Sequence, residues 1–285
     1  MAGSDPESHS TDLLNWFDSP GAGRPLLLIA GPCMLEDQEI NLRIGSELKE
    51  ACSDLGIQFI FKASFDKANR SSIDSPRGPG LYEGLEALAE LKERLQVPTC
   101  TDIHQPEQAE PAANTVSLLQ VPAFLCRQTD LLSAVAETGR PVNVKKGQFL
   151  APEQMENVLG KLRKAGGSRI MLTERGTFFG YERLVNDFIG LGDLMDLSTR
   201  HQAAVCFDVT HSTQLPGGTA TQTGGRPDRA GLLARAAVAA GVDALFLECH
   251  PDPDEARSDA STMQRLADVP ALLRRLMSIR SALAD

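Results

Sequence analysis

No apolar run in this sequence approaches the roughly 18 residues that cross a bilayer. The first residues also lack the basic start and apolar stretch of a secretory signal, so a cytoplasmic location is expected. An excess of positive charge is absent as well: 28 Lys and Arg face 38 Asp and Glu, a formal net charge of −10. That balance disfavours non-specific nucleic-acid binding, which needs a basic face able to release phosphate counterions. Paired cysteine spacing is missing too. Cys33, Cys52, Cys100, Cys126, Cys206 and Cys249 are scattered through a long chain, which argues against a disulfide framework and for small, reduced, buried side chains. No GxGxxG follows the first strand-like run, so a dinucleotide-binding fold has little support.

What remains is an ordinary globular composition, 42% hydrophobic and 23% charged over 285 residues, enough for a full core. Residues 1–24 are rich in Ser, Gly, Pro and Asp and read as a flexible leader, with Leu13, Leu14 and Trp16 placed to dock on the body of the protein. Residues 25–285 read as one catalytic domain. Eight short strand-like runs recur there: PLLLIAG (25–31), QFIFKAS (58–64), VPTCTDI (97–103), VSLLQVP (116–122), PVNVKKG (141–147), RIMLTER (169–175), AVCFDVT (204–210) and ALFLECH (244–250). Helical segments alternate with them; the one after the first run stops at Gly56, and another starts at Pro152 and stops at Gly166. Eight parallel strands with crossover helices make either an open doubly wound sheet or a closed barrel, and the count and near-regular spacing favour an α/β fold of the (β/α)8 TIM-barrel type.

In such a barrel the chemistry gathers at the C-terminal ends of the strands. Those ends deliver Cys33, Lys62, Asp102 with His104, Gln120, Lys145 with Lys146, Arg175, Asp208 with His211, and Glu248 with His250. Charged groups avoid strand ends in a packed fold unless they are paired or serve a ligand. Lys62, Lys67 and Arg70 from FKASFDKANRSS (61–72), together with Lys145, Lys146 and Arg175, form a cationic set that an acidic protein needs for a multiply anionic ligand. Cys33, His211, Glu248 and Asp259 make a mixed donor set suited to zinc, iron or manganese. On residue type alone, Cys33 beside Pro32 reads more readily as a buried small side chain than as a ligand. Phe124 and Arg127, in PAFLCRQTD, read as core and as surface or interface. The long Gly/Thr loop 217–227 after the seventh run reads as functional. The Asn69-Arg70-Ser71 triplet matches a glycosylation sequon, incidental in a cytoplasmic protein.

The motifs IAGPC, FKASFDKANRSS, RGPGL, TDIH, QVPAFLCRQTD, NVKKGQF, FDVTHS and ECHPDP occur in the order seen in 3-deoxy-D-manno-octulosonate-8-phosphate synthases, and from about Leu26 to the last helix the chain resembles that family. The resemblance implies a transferase that joins phosphoenolpyruvate to D-arabinose 5-phosphate for lipopolysaccharide synthesis. It implies that Lys67, Lys145 and Arg175 hold phosphoenolpyruvate with Lys62 and Gln148 nearby, and that Asn69, Arg70 and Ser71 take the sugar phosphate and hydroxyls. Ser64, Asp102 and Gln120 complete the candidate substrate contacts. Phe124 and Arg127 would serve a neighbouring subunit's site in a homotetramer. Family members without a metal carry Asn at the position of Cys33, so Cys33 with the SDAS segment 258–261 is similar to the metal-dependent type and turns the reading of Cys33 toward a ligand of a divalent ion. The candidate catalytic residues are Lys67, Lys145, His211 and Asp259; no organic cofactor is expected.

Three alternatives stand beside this reading. A 3-deoxy-D-arabino-heptulosonate-7-phosphate synthase would use erythrose 4-phosphate, but that family has a KPRTSP-like segment where this chain has KANRSS. A Schiff-base aldolase would draw its amine from Lys62 or Lys145. A barrel that only binds sugar phosphates is allowed by fold alone.

Overall fold

The computed structural model describes residues 6–21, 23–69, 75–216 and 224–283. Eight strands, β1 (Leu27–Gly31), β2 (Gln58–Lys62), β3 (Thr99–Asp102), β4 (Leu118–Val121), β5 (Val142–Lys145), β6 (Ile170–Glu174), β7 (Ala204–Asp208) and β8 (Ala244–His250), pair in chain order. All these pairs are parallel, and β8 returns to pair with β1, which closes the barrel. Every run expected as a strand contains one of the eight. Their burial is nearly continuous, as strands covered on both faces require. The register sets Gly31, the last residue of β1, opposite Glu248, so Glu248 lies beside the start of the turn that carries Cys33. A Cβ on Gly31 would lie 2.1 Å from the carbonyl oxygen of Lys62, so only glycine allows β1 and β2 this approach.

Crossover helices α2 (Gln38–Leu55), α3 (Leu81–Leu95), α4 (Ala109–Thr115), α5 (Thr129–Glu137), α6 (Met155–Lys164), α7 (Phe188–Arg200), α8 (Ala230–Ala240) and α9 (Val269–Ala282) surround the strands. Local chemistry fixes several of their ends. The Asp37 carboxylate accepts from the Ile40 amide at 2.9 Å to start α2, and Gly56 ends it with φ +66°. Asp187 caps α7 in the same way, accepting from Ile189 N at 3.0 Å. Between β6 and α7 a hairpin of Thr177–Gly180 and Arg183–Val185 projects outward, exposing Phe179 and Tyr181. The sequence has no period-2 signal there.

The leader reading is corrected over residues 6–18, which form helix α1 (Pro6–Asp18). Leu13, Trp16 and Phe17 recur at helical spacing and are buried with Leu27, Ile60, Leu118, Met171 and Phe246 inside the barrel. Leu13 and Trp16 dock as expected, while the Ser, Asp and Pro content of the segment masks its helix and the part of Phe17. Trp16 donates its indole N–H to Pro25 O at 2.8 Å, and the Arg24 guanidinium stacks 4.4 Å above its ring. Asp18 pairs with Arg169 at 2.6 Å. Burial of Leu13 and Phe17 stabilises this cap by roughly 1.5–3 kcal/mol each. Leu14 is only partly buried.

Candidate functional site

The turn after β1, the end of β8 and the loop behind β8 bring three groups into one cluster. The thiol of Cys33 and carboxylate oxygens of Glu248 and Asp259 all lie within 4.8 Å of one another. Cys33 and Glu248 are fully buried. Cys33 donates its S–H to Asp259 Oδ2 at 2.8 Å, because burial, with the nearby charges of Asp259 and Glu248, pushes its thiol well above the ordinary range. Glu248 is the unusual member: neither carboxylate oxygen has a hydrogen-bond donor among the described residues, and its neighbours, the Lys62 ammonium and His211 Nε2, stand 3.6 Å away. A carboxylate this deeply buried is expensive unless a cation or donor satisfies it. Thiol, two carboxylates and an adjacent imidazole therefore fit a divalent transition ion, whose binding would release the Cys33 proton. His211 stands beside the three-residue cluster rather than inside it, since its ring nitrogen Nδ1 is drawn to Asp208 Oδ2 at 2.8 Å.

Next to this cluster is a chain of buried ion pairs. Lys62 Nζ donates to Ser64 Oγ at 2.9 Å and to Cys33 O at 3.3 Å, and lies 3.3 Å from Asp102 Oδ1. Ser64 in turn donates to Asp102, whose other oxygen meets His104 Nε2 at 3.1 Å. Burial acts to raise the pKa of Asp102, but Lys62 and His104 outweigh it and hold the carboxyl well below its usual range. Lys67 is half-buried; burial opposes its charge, yet Cys33, Glu248, Asp102 and Asp259 together keep its pKa raised. On the opposite wall Lys145 Nζ meets Asp208 Oδ2 at 2.5 Å and sits 3.4 Å over the Phe246 ring.

Removing Lys62 would leave Asp102 and Glu248 without their shared counter-ion. Lys62→Met is expected to lower stability by about 3–5 kcal/mol, as breaking a buried ion pair does. Scanning calorimetry should show this as a fall in Tm of about 10 °C. Adding Glu248→Gln should recover part of the loss, whereas an unchanged Tm in the single variant would remove Lys62 from this role.

The remaining expected residues separate by position. Arg175 is buried, with Nη2 donating to Gln214 Oε1 at 2.6 Å and Nη1 lacking any acceptor among the described residues. Gln148 Oε1 is likewise buried without a partner. Gln120 accepts from Asn143 Nδ2 at 3.2 Å, and Asn143 accepts from the Thr173 hydroxyl at 2.6 Å, a polar row across β4, β5 and β6. Lys146 leaves the cationic set: it donates to Leu150 O at 3.1 Å and lies 3.4 Å from Glu174 Oε2. Alternation along the strand explains the divergence, since adjacent side chains face opposite sides. Phe124 is 51% exposed, which overturns its reading as core, and Arg127 is exposed, both just beyond β4. Asn69 is exposed, while Arg70, Ser71 and residues 217–223 of the Gly/Thr loop fall outside the described residues.

Two residues with no assigned role in the sequence reading belong here. Asp208, fully buried, accepts from Lys145 Nζ and from both the backbone N and the ring of His211. Its place as the last residue of β7, three before His211 and two strands from Lys145, was the available signal. Glu36 joins the loop of Cys33 to that of Asp259, and no motif announces it.

A closed parallel barrel that concentrates buried lysines, a part-satisfied guanidinium and a thiol–carboxylate cluster at one end of its strands defines a barrel enzyme for multiply anionic substrates. Its family is direct to state: the pattern of the DAHP synthetase I family matches residues 18–284, and the chain belongs to that family, in the branch of the 2-dehydro-3-deoxyphosphooctonate aldolases. The aldolase of that name from Geobacter sp. (strain M21) is 53% identical over 259 residues, 91% of this chain and 93% of the relative. Its counterpart from Synechococcus sp. (strain ATCC 27144 / PCC 6301 / SAUG 1402/1) is 51% identical over 94% and 93%. The one from Desulfotalea psychrophila (strain LSv54 / DSM 12343) is 49% identical over 93% of both.

Proposed function

We propose that this protein condenses phosphoenolpyruvate with D-arabinose 5-phosphate and water, giving 3-deoxy-D-manno-octulosonate 8-phosphate and inorganic phosphate, a step of lipopolysaccharide synthesis carried out in the cytoplasm. The observation that carries the reading is the identity of about half the residues, over more than nine-tenths of the chain, to aldolases of that name. None of these three relatives bears a heptulosonate name, so erythrose 4-phosphate is the disfavoured second substrate.

The reaction forms a bond between carbon 3 of phosphoenolpyruvate and the sugar aldehyde carbon, adds water at carbon 2, and breaks the carbon–oxygen bond to phosphate. Its difficulty is electrostatic, because two phosphates and a carboxylate must approach one another. Arg175, Lys67 and Lys145 offset the charge of phosphoenolpyruvate, and the unpartnered Arg175 Nη1 supplies a donor that orients it, with Gln148 nearby. Asn69, Arg70 and Ser71 take the sugar phosphate, and Ser64, Asp102 and Gln120 line its path. Cys33, Glu248 and Asp259, joined by His211, would hold a divalent ion such as zinc, iron or manganese. Such an ion, when bound, polarises an aldehyde or hydroxyl oxygen. His211 and Asp259 lie close enough to that corner to move protons. The exposure of Phe124 and Arg127 beyond β4 supports their service to a neighbouring subunit in a tetramer.

The test is phosphate release from phosphoenolpyruvate with arabinose 5-phosphate or erythrose 4-phosphate, before and after chelation and with metal restored. Arabinose-dependent release that chelation abolishes and a divalent ion restores is the expected result. Chelator-resistant release would remove the metal from the reading, and preference for erythrose 4-phosphate would overturn the substrate.

A further inference from the structure

The metal-type cluster draws its ligands from unequal supports. Glu248 lies inside β8 and is fixed by the barrel ladder, whereas Cys33 and Asp259 sit on irregular loops. Asp259 is the more demanding of the two, because its backbone is left-handed, with φ +50° and ψ 28°, in a loop of short 3-10 turns. Backbone in that region persists only where surrounding contacts determine it. Ladder pairing reaches these loops only beside the two ligands, through a bridge of Met34 to Ser64 and the pairing of β8 with Gln264 and Arg265, so ties between the loops add to what sets the distance from Cys33 to Asp259.

One tie is Cys33 itself, which reaches Ser258 Oγ at 3.3 Å and Asp259 Oδ2 at 2.8 Å. A second lies outside the cluster. Glu36, three residues after Cys33, accepts the backbone N–H of Arg257 on Oε1 at 2.9 Å, and its Oε2 lies 2.9 Å from the Nε of the same arginine. One carboxylate thus grips both backbone and side chain two residues before Asp259. The Glu36 side chain is 4% exposed and that of Arg257 50%, so the acceptor is largely dry while the cation keeps contact with water. Glu36 is itself held on helix α2: its backbone N–H donates to Asn41 Oδ1 at 3.2 Å, and Asn41 Nδ2 donates to Glu36 O at 2.8 Å. Asn41 is buried. The chain of support runs from a rigid helix, through Glu36, to the loop that carries Asp259.

We propose that Glu36 and Arg257 are positioning residues that set the affinity of the Cys33, Glu248 and Asp259 site for a divalent ion by holding its two loops at ligating distance. This rests on the metal reading of the proposed function. Neither residue touches the cluster's donor atoms in these contacts, so the effect of losing the clamp falls on pre-organisation: the ion must then order the Asp259 loop as it binds. The clamp acts on affinity and leaves the chemistry of the filled site alone.

The test uses the full chain, stripped of metal, and cobalt(II) as probe. Cobalt affinity is read from the thiolate-to-cobalt absorption band, beside the Tm of the metal-free protein and kcat at saturating cobalt. Arg257→Met and Glu36→Gln are each expected to weaken cobalt binding roughly five- to tenfold, the scale of one lost charge-assisted contact. Arg257→Lys should fall between, because an ammonium keeps the charge without the planar fork. At saturating cobalt, Arg257→Met should recover most of the wild-type kcat. Should Glu36→Gln fold poorly, Arg257→Met decides alone, since its side chain is half in water. Wild-type cobalt affinity in Arg257→Met would overturn the clamp while the metal reading stands. Failure of the wild-type protein to bind cobalt would instead overturn the metal reading, and the clamp with it.

Discussion

Asp208→Asn is expected to lower kcat about a thousandfold while leaving the barrel folded at neutral pH. The carboxylate serves two site residues at once: Lys145 Nζ at 2.5 Å and His211 Nδ1 at 2.8 Å. With Asp208 ionised, the ring proton of His211 stays on Nδ1, and the bare Nε2 faces Glu248 and the metal-type cluster. An asparagine amide can offer its N–H to Nδ1 instead, which moves the proton to Nε2 and blocks that nitrogen as a ligand. Lys145 would also lose its only anionic neighbour at hydrogen-bond distance among the described residues. Losing a carboxylate that fixes the tautomer of a working imidazole costs on the order of a thousandfold or more in rate, about 4 kcal/mol on the barrier. The expected signature is a collapse of kcat, together with lower metal content after dialysis. A kcat within tenfold of wild type would show that Asp208 does not organise these two side chains.

The same substitution has a pH signature whose sign follows from the folded carboxyl. Burial acts to raise the pKa of Asp208, but His211, Lys145 and Arg175 outweigh it and hold it far below the usual 3.8. A depressed folded pKa gives stability that is fully present above the unfolded value, about 3.9, and is lost as pH falls toward the folded one. Between pH 5 and 8 this contribution is constant, so it shapes only the acid limb. Urea unfolding at stepped pH should show a shallower acid limb for Asp208→Asn than for wild type.

Much of this architecture was readable from sequence because a parallel barrel writes its strands as short, fully buried apolar runs, and eight such runs matched the eight strands. Helix ends at Gly56 and around Gly166 were readable for the same reason, since the stop signals are local. What escaped depended on long-range partners. Leu13 and Trp16 were legible as docking residues, but their helix and the part of Phe17 were not, because the stripe is under two turns long and the helix is held by the barrel floor rather than by its own propensity. Lys146 differed from its neighbour Lys145 only by strand parity, and the sequence alone cannot say which parity faces inward. Phe124 read as core on residue type alone, and only the family resemblance placed it outward. Asp208 and Glu36 act through distances between separate loops, which no spacing along the chain encodes.

Arg175→Met is expected to reduce kcat/KM by about a thousandfold, with the KM for phosphoenolpyruvate carrying much of the loss. The guanidinium is buried beyond β6, its Nη2 engages Gln214, and its Nη1 has no acceptor among the described residues. Burial lowers the Arg175 pKa, while Asp208, Glu174, Asp259 and Glu248 pull it upward. Desolvating an N–H of a charged group without an acceptor costs on the order of 1–3 kcal/mol or more, so the arrangement makes sense when an incoming anion supplies that acceptor. A ligand carboxylate or phosphate would then be bound by a donor whose desolvation is already complete, which is where a charge-assisted contact is strongest. Arg175→Lys should lose about a hundredfold, because an ammonium cannot keep both the Gln214 contact and the second donor direction. The measurement is steady-state kinetics with each substrate varied in turn. If the KM for arabinose 5-phosphate rises instead, Arg175 belongs to the sugar-phosphate half of the site, and Lys67 with Lys145 would be left to hold phosphoenolpyruvate.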